Sequence, residues 1–261
     1  MNNVTIILPI HTVKQKGFDT MFTSCIESIK SQVLQVKNLI IVHSNEEELI
    51  SYLKDYDFKD LEVNLLLNEG DTGFMSQVNL GIENTKTEWF SIIEVDDEYA
   101  SIWFKNVNDY VNAYPDVDGF LPLVVDVDSK GVFAGFTNEA VFAANMNTDI
   151  GYLSNEVLLN YQNFQSSGIV MKKDSVEKYG GFKSNMKLTF VYEFLLRQTY
   201  NGVKIMTIPR IGYKHTNMRD GSIFWDYKHG ENQLSQDEVS FWLESAKKEY
   251  FFSEDREINF A

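Results

Sequence analysis

The chain of 261 residues has one cysteine, Cys25, and few basic residues. A single thiol excludes an intramolecular disulfide, and Cys25 falls at an apolar position of a helical pattern, which predicts a buried thiol. The 23 Lys and Arg residues stand against 38 Asp and Glu residues, so the formal net charge is -15. Because nucleic-acid affinity comes mainly from basic side chains that release counterions, this balance disfavours nucleic acid as a partner.

Signals for membrane insertion and secretion are also missing. No stretch reaches the roughly 18 consecutive apolar residues that a transmembrane helix requires. Met1-Asn2-Asn3 leads directly into an apolar segment, without the basic region that begins a signal peptide. Together with the lone thiol, these absences predict a cytoplasmic protein without a transmembrane segment.

The sequence instead contains alternating apolar and amphipathic segments. Apolar segments typical of buried parallel strands lie at residues 4–8, 39–42 and 89–93, and Leu61, Val63, Leu65 and Leu67 predict a further strand between them. Helical spacing fills the intervals, and Ser44 with Glu47 predicts a capping box on the second helix. This alternation predicts an α/β fold with a Rossmann-like, mostly parallel central sheet flanked by helices. The first strand is expected to stop at Pro9, which cannot donate a backbone hydrogen bond.

Beyond Pro115 the pattern changes from strand-helix alternation to paired strands. Segments 119–127 and 132–136 predict a hairpin, and segments 203–208 and 211–215 predict two late strands. The second half is therefore expected to be smaller, to contain a mixed sheet and to form the other side of a cleft.

The C-terminal region, residues 223–261, is predicted to be an extension of a main domain that covers residues 1–222. Ser235 and Glu238 form a capping-box pattern that starts a last helix. That helix carries an apolar stripe of Val239, Trp242, Leu243 and Ala246. The aromatic extension is expected to pack on the domain or on a protein partner, including a second copy of the chain.

An acidic turn follows the strand at residues 89–93. Four carboxylates occur within five residues, at Glu94, Asp96, Asp97 and Glu98. Ligands of open α/β sheets collect where the parallel strands end, and carboxylate oxygens hold hard divalent cations. Taken alone, the same turn also suits a solvated loop or a cap for the next helix, so two interpretations stay open at this point.

Short motifs follow one another along residues 4–222 in a fixed order. They are the strand ending at Pro9, Cys25-Ile26-Glu27-Ser28-Ile29-Lys30-Ser31-Gln32, Asn68-Glu69-Gly70, Asn79-Leu80-Gly81, Glu94-Val95-Asp96-Asp97, Gly180-Gly181-Phe182, Leu195-Leu196-Arg197 and Gly202. In this order the chain resembles the family-2-type glycosyltransferases, which have the GT-A fold and belong to the nucleotide-diphospho-sugar transferase superfamily. Each motif alone is common, and their order carries the resemblance.

The resemblance implies transfer of a sugar from a nucleotide-diphosphate donor, such as a UDP-sugar, to a saccharide or other hydroxyl acceptor. It also implies a divalent cation, Mn²⁺ or Mg²⁺, that neutralises the diphosphate. The implied metal ligands are Asp96, Glu94 and His215. A lone histidine such as His215 is also common as an ordinary hydrogen-bonded residue.

The resemblance further implies a set of residues that face the nucleotide of the donor. These are Pro9, Ile10, His11, His43, Asn68, Asn79, Glu94 and Asp97. The two asparagines also suit turns and helix starts without any ligand. Two positions depart from the family pattern, since His43 replaces an aspartate after the second strand and Glu94 replaces the first aspartate of the acidic motif.

The third departure concerns the general base that inverting members of the family use to deprotonate the acceptor. Counting back from Arg197 places Phe190 and Val191 at that position, and neither side chain accepts a proton. Glu193 is the predicted substitute base, although a two-residue step turns a helix by about 200° away from Val191. The alternative for Glu193 is a solvent-facing or ion-paired glutamate.

Two functions therefore follow from the sequence. The first is a metal-assisted glycosyltransferase, which depends on the acidic turn. The second is a catalytically inactive, glycosyltransferase-like binding or assembly module, which depends on Phe190, Val191 and His43. A nucleotidyltransferase ranks last, because no Gly-rich basic loop follows the first strand.

Overall fold

The computed structural model describes residues 3–139, 151–217, 219 and 222–260. The strands are β1 (Val4–Ile10), β2 (Asn38–His43), β3 (Glu62–Leu67), β4 (Trp89–Ile92), β5 (Glu98–Tyr99), β6 (Gly119–Val127), β7 (Phe133–Thr137), β8 (Val170–Lys172) and β9 (Ile205–Thr216). The helices are α1 (Phe18–Lys30), α2 (Glu47–Asp55), α3 (Phe74–Asn84), α4 (Trp103–Ala113), α5 (Asn155–Asn160), α6 (Lys173–Tyr179), α7 (Phe190–Tyr200), α8 (Ile223–His229) and α9 (Gln236–Glu249).

All these strands belong to one sheet, whose order is β3-β2-β1-β4-β8-β6-β9-β5 with β7 beside β6. The first half is parallel, since β1 pairs in parallel with both β2 and β4, and β2 with β3. The second half is mixed, because β8 runs antiparallel to β4 and β6 whereas β6 and β9 are parallel. The predicted α/β fold, with a mostly parallel sheet flanked by helices and a mixed second half, is confirmed; the mixed half is not the smaller one, since it holds five strands against four.

Helices cover both faces of this sheet and divide the core into two apolar clusters. Along β1, alternate side chains serve opposite clusters, with Ile7 on one face and Ile6 and Leu8 on the other. The Ile7 face packs against α3, α7 and α9, whereas the opposite face packs against α1, α2 and α4. Cys25 is fully buried on the α1 side, as its helical position predicts.

The first strand continues past Pro9 to Ile10, so the prediction that it stops at the proline is wrong. Pairing with β4 ends where Ile7 lies opposite Ile92. On the β4 side of Pro9 no strand residue therefore requires the amide donor that proline lacks. Pairing with β2 on the other side continues to Ile10.

The two late strands predicted at 203–208 and 211–215 are one strand, β9, in the structure. It stays paired with β6 over its whole length, and the register shifts near Leu123 take up the irregularity between Ile208 and Ile211. As a result, His215 is carried on a continuous strand that is fixed to the central sheet.

The C-terminal helix α9 packs on the same core. Trp242 is buried among the α7 side chains, and its carbonyl oxygen accepts a hydrogen bond of 3.0 Å from the Thr189 hydroxyl. The capping box of Ser235 and Glu238 is present, as predicted. The boundary after residue 222 and association with a partner through this region stay predictions. Within the described part of the chain, no helix combines the length and the apolar character needed to span a bilayer.

Candidate functional site

The loops that follow β1, β2 and β3 meet at one edge of the sheet and are tied together by hydrogen bonds. The Asn68 amide donates to the His43 carbonyl at 2.8 Å, and the Gln77 side-chain amide donates to the Ile10 carbonyl at 3.2 Å. The Ser44 hydroxyl donates to the His11 carbonyl at 2.6 Å. The structure thus brings together the predicted nucleotide-facing residues Pro9, Ile10, His11 and His43.

Ser44 does not form the predicted capping box with Glu47. The helix α2 begins at Glu47 after Glu46, and no side chain caps it. The Ser44 hydroxyl instead donates to the His11 carbonyl in the loop after β1. The pattern of Ser44 and Glu47 therefore predicts the helix start correctly and the cap wrongly.

Asn68 and Asn79 have structural partners. Asn68 is buried and bonds within its own loop, to the Gly70 amide at 3.0 Å and the Asp71 carbonyl at 2.7 Å. Asn79 lies on α3 and makes two bonds to the backbone of Phe182, of 2.7 and 2.8 Å. It thereby clamps the Gly-Gly-Phe turn to the parallel half. Contact of either asparagine with a nucleotide stays a prediction.

The acidic turn after β4 is fixed to the end of β9. Asp97 is fully buried, and its carboxylate accepts from the Thr216 amide at 2.8 Å and from His215 Nδ1 at 3.0 Å. The carboxylate of Glu94 accepts from the Ser167 hydroxyl at 2.8 Å. These bonds hold two acidic side chains and one imidazole in a small space between the two halves of the sheet.

Glu94, Asp97 and His215 each offer a ligand atom, and these atoms all lie within 4.8 Å of one another. The group differs by one residue from the predicted ligand set, because Asp97 takes the place of Asp96. The carboxylate of Asp96 is paired with the Nε atom of Arg219, and its side chain is nearly buried. A role for Asp96 in binding metal and a role for Asp97 in binding nucleotide both stay predictions.

The electrostatics of the group follow from placing like charges together inside the protein. Burial and the neighbouring charge of Asp97 raise the pKa of Glu94 to about 7. Burial lowers the pKa of His215, but the charge and hydrogen bond of Asp97, followed by the charges of Glu94 and Asp126, outweigh it and raise the pKa to about 10. The pKa of Asp96 is raised by burial and by Asp97, against the opposing effect of Arg219.

A divalent cation fits this donor set. Carboxylate oxygens are the preferred ligands of Mg²⁺ and Mn²⁺, and a neutral imidazole nitrogen is an acceptable further ligand for Mn²⁺, so His215 would release a proton as the cation binds. A bound cation would also relieve the repulsion between Glu94 and Asp97, which adds to burial in raising the pKa of Glu94. The residues present therefore fit the ion that the resemblance implies.

Glu193 forms a buried ion pair, which is the alternative that its sequence position leaves open, and a catalytic role for it stays a prediction. Its side chain is fully buried, and its carboxylate accepts from Arg197 Nε at 2.8 Å, from Arg197 Nη2 at 3.0 Å and from Lys183 at 3.1 Å. Arg197 in turn donates to the carbonyl oxygens of Gly180 and Gly181. Because α7 begins at Phe190, Glu193 points away from the side where Val191 lies.

A cavity of about 240 Å³ adjoins the Glu94 group on the side of the mixed sheet. Phe190 and Val191 line it, and Glu94 is the one carboxylate among the described lining residues. The full lining comprises Phe74, Glu94, Gln162, Phe164, Gln165, Ser166, Ser167, Leu188, Thr189, Phe190, Val191, Tyr192, His215, Ile223, Phe224 and Leu243. We refer to this cavity as the acceptor-side cleft.

Two residues of the site were missed in the sequence. Ser167 holds Glu94, and Arg219 pairs with Asp96. Ser167 precedes Gly168, which has a positive φ. A glycine there indicates a tight loop, but it does not indicate that Ser167 contacts Glu94. Arg219 lies four positions beyond His215, and a basic residue so close to a predicted ligand in an acidic chain was the available signal.

Comparisons with known proteins agree with this architecture. The family model "Glycosyl transferase family 2" matches residues 5–180. A curated relative, the teichoic acid poly(glycerol phosphate) polymerase of Staphylococcus epidermidis, is 30% identical over 123 residues, which are 46% of this chain and 16% of the polymerase. The chain therefore matches only a small part of that larger protein.

Solved structures of S. aureus TarS share the fold. TarS residues 1–349 in complex with UDP superpose with a TM-score of 0.62 and 15% identity, over 96% of this chain and 72% of that chain. The same fragment in complex with UDP-GlcNAc gives a TM-score of 0.62 and 15% identity, over 96% and 73%. At this identity the likeness establishes the GT-A architecture. Since the family model covers residues 5–180, more than half of the chain, this protein belongs to glycosyltransferase family 2.

Proposed function

We propose that this chain transfers a sugar from a nucleotide-diphosphate donor to a hydroxyl acceptor, with a divalent cation held by Glu94, Asp97 and His215. The observation that carries the proposal is the grouping of their ligand atoms within 4.8 Å at the end of β4. This is the edge where ligands of open α/β sheets bind, and it lies next to the gathered loops of β1 and β2.

The side chains of the site have distinct tasks in this proposal. A cation bound there acts as a Lewis acid that offsets the charge of the departing diphosphate. Asp97 fixes the imidazole of His215 through Nδ1, and Ser167 fixes the carboxylate of Glu94, so the ligands are oriented before the donor binds. Pro9 lies near the end of β1, His43 ends β2 and His11 begins the loop after β1, where the base and ribose of the donor would bind.

Uridine nucleotides are the donors to test first. Structures of TarS have been solved with UDP and with UDP-GlcNAc, and this chain has the same fold. The donor sugar of this chain, and any relation to teichoic acid polymers, are parts of the proposal that the short match to the polymerase does not establish.

A second candidate function is a module that binds the donor without transferring the sugar. The observation that favours it is the apolar pair Phe190 and Val191 in the acceptor-side cleft, together with the burial of Glu193 in an ion pair. Such a module would keep the cation site and lack a base.

Both functions require the chain to bind the donor. Titration calorimetry with UDP-GlcNAc and UDP-glucose, in Mn²⁺ and in EDTA, tests this binding. We expect binding that depends on the cation. A coupled assay for UDP release, with and without saccharide acceptors, then separates them, since release stimulated by an acceptor supports transfer and tight binding with no release supports the module. Absence of binding to every donor would overturn both.

A further inference from the structure

Phe224, at the start of α8, presents a partly exposed aromatic ring to the acceptor-side cleft. Its side chain is 37% exposed, whereas Phe190, which stacks behind it, is 2% exposed. The two ring centroids are 5.8 Å apart, and the planes differ by 14°. Phe74 and Phe182 contact Phe190 in turn, at 5.8 and 6.1 Å. Phe74 is tilted by 51° and Phe182 by 74° against Phe190, so the four rings form an aromatic cluster in which Phe190 and Phe224 are the stacked pair and Phe224 is the accessible ring.

The contact with Phe224 explains why an apolar residue suits position 190. A carboxylate there could not pack against Phe224, because a charged group would lose its hydration beside two aromatic rings. With Phe190 in place, the plane of Phe224 is fixed by near-parallel contact. An aromatic ring held in one orientation is a suitable platform for a flat apolar ligand face.

Polar groups surround the platform. Gln162, Gln165, Ser166 and Ser167 line the same cleft and supply amide and hydroxyl groups. A pyranose ring has one face of C–H groups and a rim of hydroxyls, so it can stack on the ring while its rim meets these groups. A purely aliphatic ligand would leave them without partners.

The charge of the cleft disfavours an anionic acceptor. None of the described lining residues is Lys or Arg, and the cation that Glu94 and His215 would hold serves the diphosphate of the donor, so no basic side chain of the cleft is left for an acceptor phosphate. A polyol phosphate chain needs basic partners for its phosphates, and here it would meet a chain of net charge -15.

We infer that Phe224 is the stacking residue of a subsite for an uncharged pyranose acceptor, so that this chain selects neutral saccharides over polyol phosphates. The inference deepens the proposed function and rests on it for the identity of the cleft. Phe190 acts through Phe224 as a positioning residue.

The test uses the full chain with UDP and Mn²⁺, and saturation-transfer NMR to measure binding of cellobiose, chitobiose and a glycerol phosphate oligomer. We expect at least one disaccharide to bind more tightly than the oligomer. Phe224→Ala should weaken disaccharide binding about tenfold, and Phe224→Tyr should restore it to within about twofold. Phe133→Ala is the matched control, since Phe133 is 57% exposed on the hairpin strand β7 and outside the cleft.

The affinity for UDP, measured by calorimetry on the same samples, separates the two proposals. Loss of disaccharide binding in Phe224→Ala with unchanged UDP affinity supports the subsite. Equal disaccharide binding by wild type and Phe224→Ala, tighter binding of the glycerol phosphate oligomer, or no disaccharide binding overturns it. If UDP fails to bind while disaccharides still bind through Phe224, the proposed donor chemistry fails and the saccharide subsite stands.

Discussion

Asp97 and His215 lie 118 positions apart in the sequence and are joined by a hydrogen bond of 3.0 Å between Oδ2 and Nδ1. Asp97 belongs to the turn after β4, whereas His215 lies near the end of β9. The bond therefore joins the parallel half of the sheet to the mixed half at the point where Glu94 also lies. Both residues must be correctly placed for the group of three ligands to exist.

Replacing Asp97 separates its role from that of Asp96. Asp97→Asn keeps the shape and removes a charged ligand, so the Mn²⁺-dependent affinity for UDP should fall about 100-fold. Asp96→Asn removes a partner of Arg219 and should reduce the affinity less than about tenfold. Calorimetry on both variants measures this difference. The reverse order of effects would assign the ligand role to Asp96.

The stability of the cation-free protein should depend on Glu94 through pH. The pKa of Glu94 is about 7 in the folded protein against an ordinary value of 4.5. Folding thus favours the protonated form of Glu94. The stability that this preference contributes is complete at a pH below the ordinary pKa of 4.5 and is lost as the pH rises through 7. The free energy of unfolding of Glu94→Gln minus that of the wild type should therefore increase by roughly 1 to 3 kcal/mol from pH 5 to pH 8.

Urea denaturation in EDTA at the two pH values measures this gain. Added Mn²⁺ should stabilise the wild type at pH 8 and have little effect on Glu94→Gln, because the variant lacks a charged ligand. A difference between the two proteins that stays constant with pH would contradict the raised pKa.

Glu193 should matter for stability and not for chemistry. Glu193→Gln leaves Arg197 and Lys183 buried without their countercharge, which should cost about 3 to 5 kcal/mol of free energy of unfolding. Glu177→Gln, which removes the exposed carboxylate that pairs with Lys173, should cost less than about 0.5 kcal/mol. Sugar transfer per folded molecule should be unchanged in both variants. A large loss of turnover in a fully stable Glu193→Gln protein would restore its role as a base.

The clamp between Asn79 and the Gly-Gly-Phe turn leaves no room for a side chain at position 181. A Cβ atom on Gly181 would lie 2.3 Å from Oδ1 of Asn79, so Gly181→Ala must displace that amide and weaken its two bonds to Phe182. We expect a loss of roughly 1 to 3 kcal/mol in thermal or urea unfolding. Gly135→Ala is the control, since its Cβ would meet nothing within 4 Å. Equal stability of the two variants would argue against the clamp.

Much of the fold could be predicted because its elements have local signals. Strand composition and helical spacing give the order of the elements, and Ser235 with Glu238 forms the predicted capping box. Local patterns failed where a tertiary contact decided the outcome. Ser44 bonds to the β1 loop instead of capping α2, and β9 runs unbroken because β6 pairs along its length.

The candidate site was predictable by region and less so by residue. The acidic motif located the turn, yet the choice between Asp96 and Asp97 depends on which one faces His215 and which one faces Arg219. Sequence spacing does not contain that information, because these partners come from a strand far along the chain. The spacing of Glu193 and Arg197, four residues apart on one helix, did carry the signal for an ion pair.

Crystals of the protein grown with Mn²⁺ and UDP give the most direct test of the cation site. Diffraction at the manganese absorption edge should show one anomalous peak within coordination distance of Glu94, Asp97 and His215, with the diphosphate of UDP bound to the same ion. A bound UDP with no anomalous peak between these three side chains, each keeping its present protein hydrogen bonds, would contradict the assignment of the site.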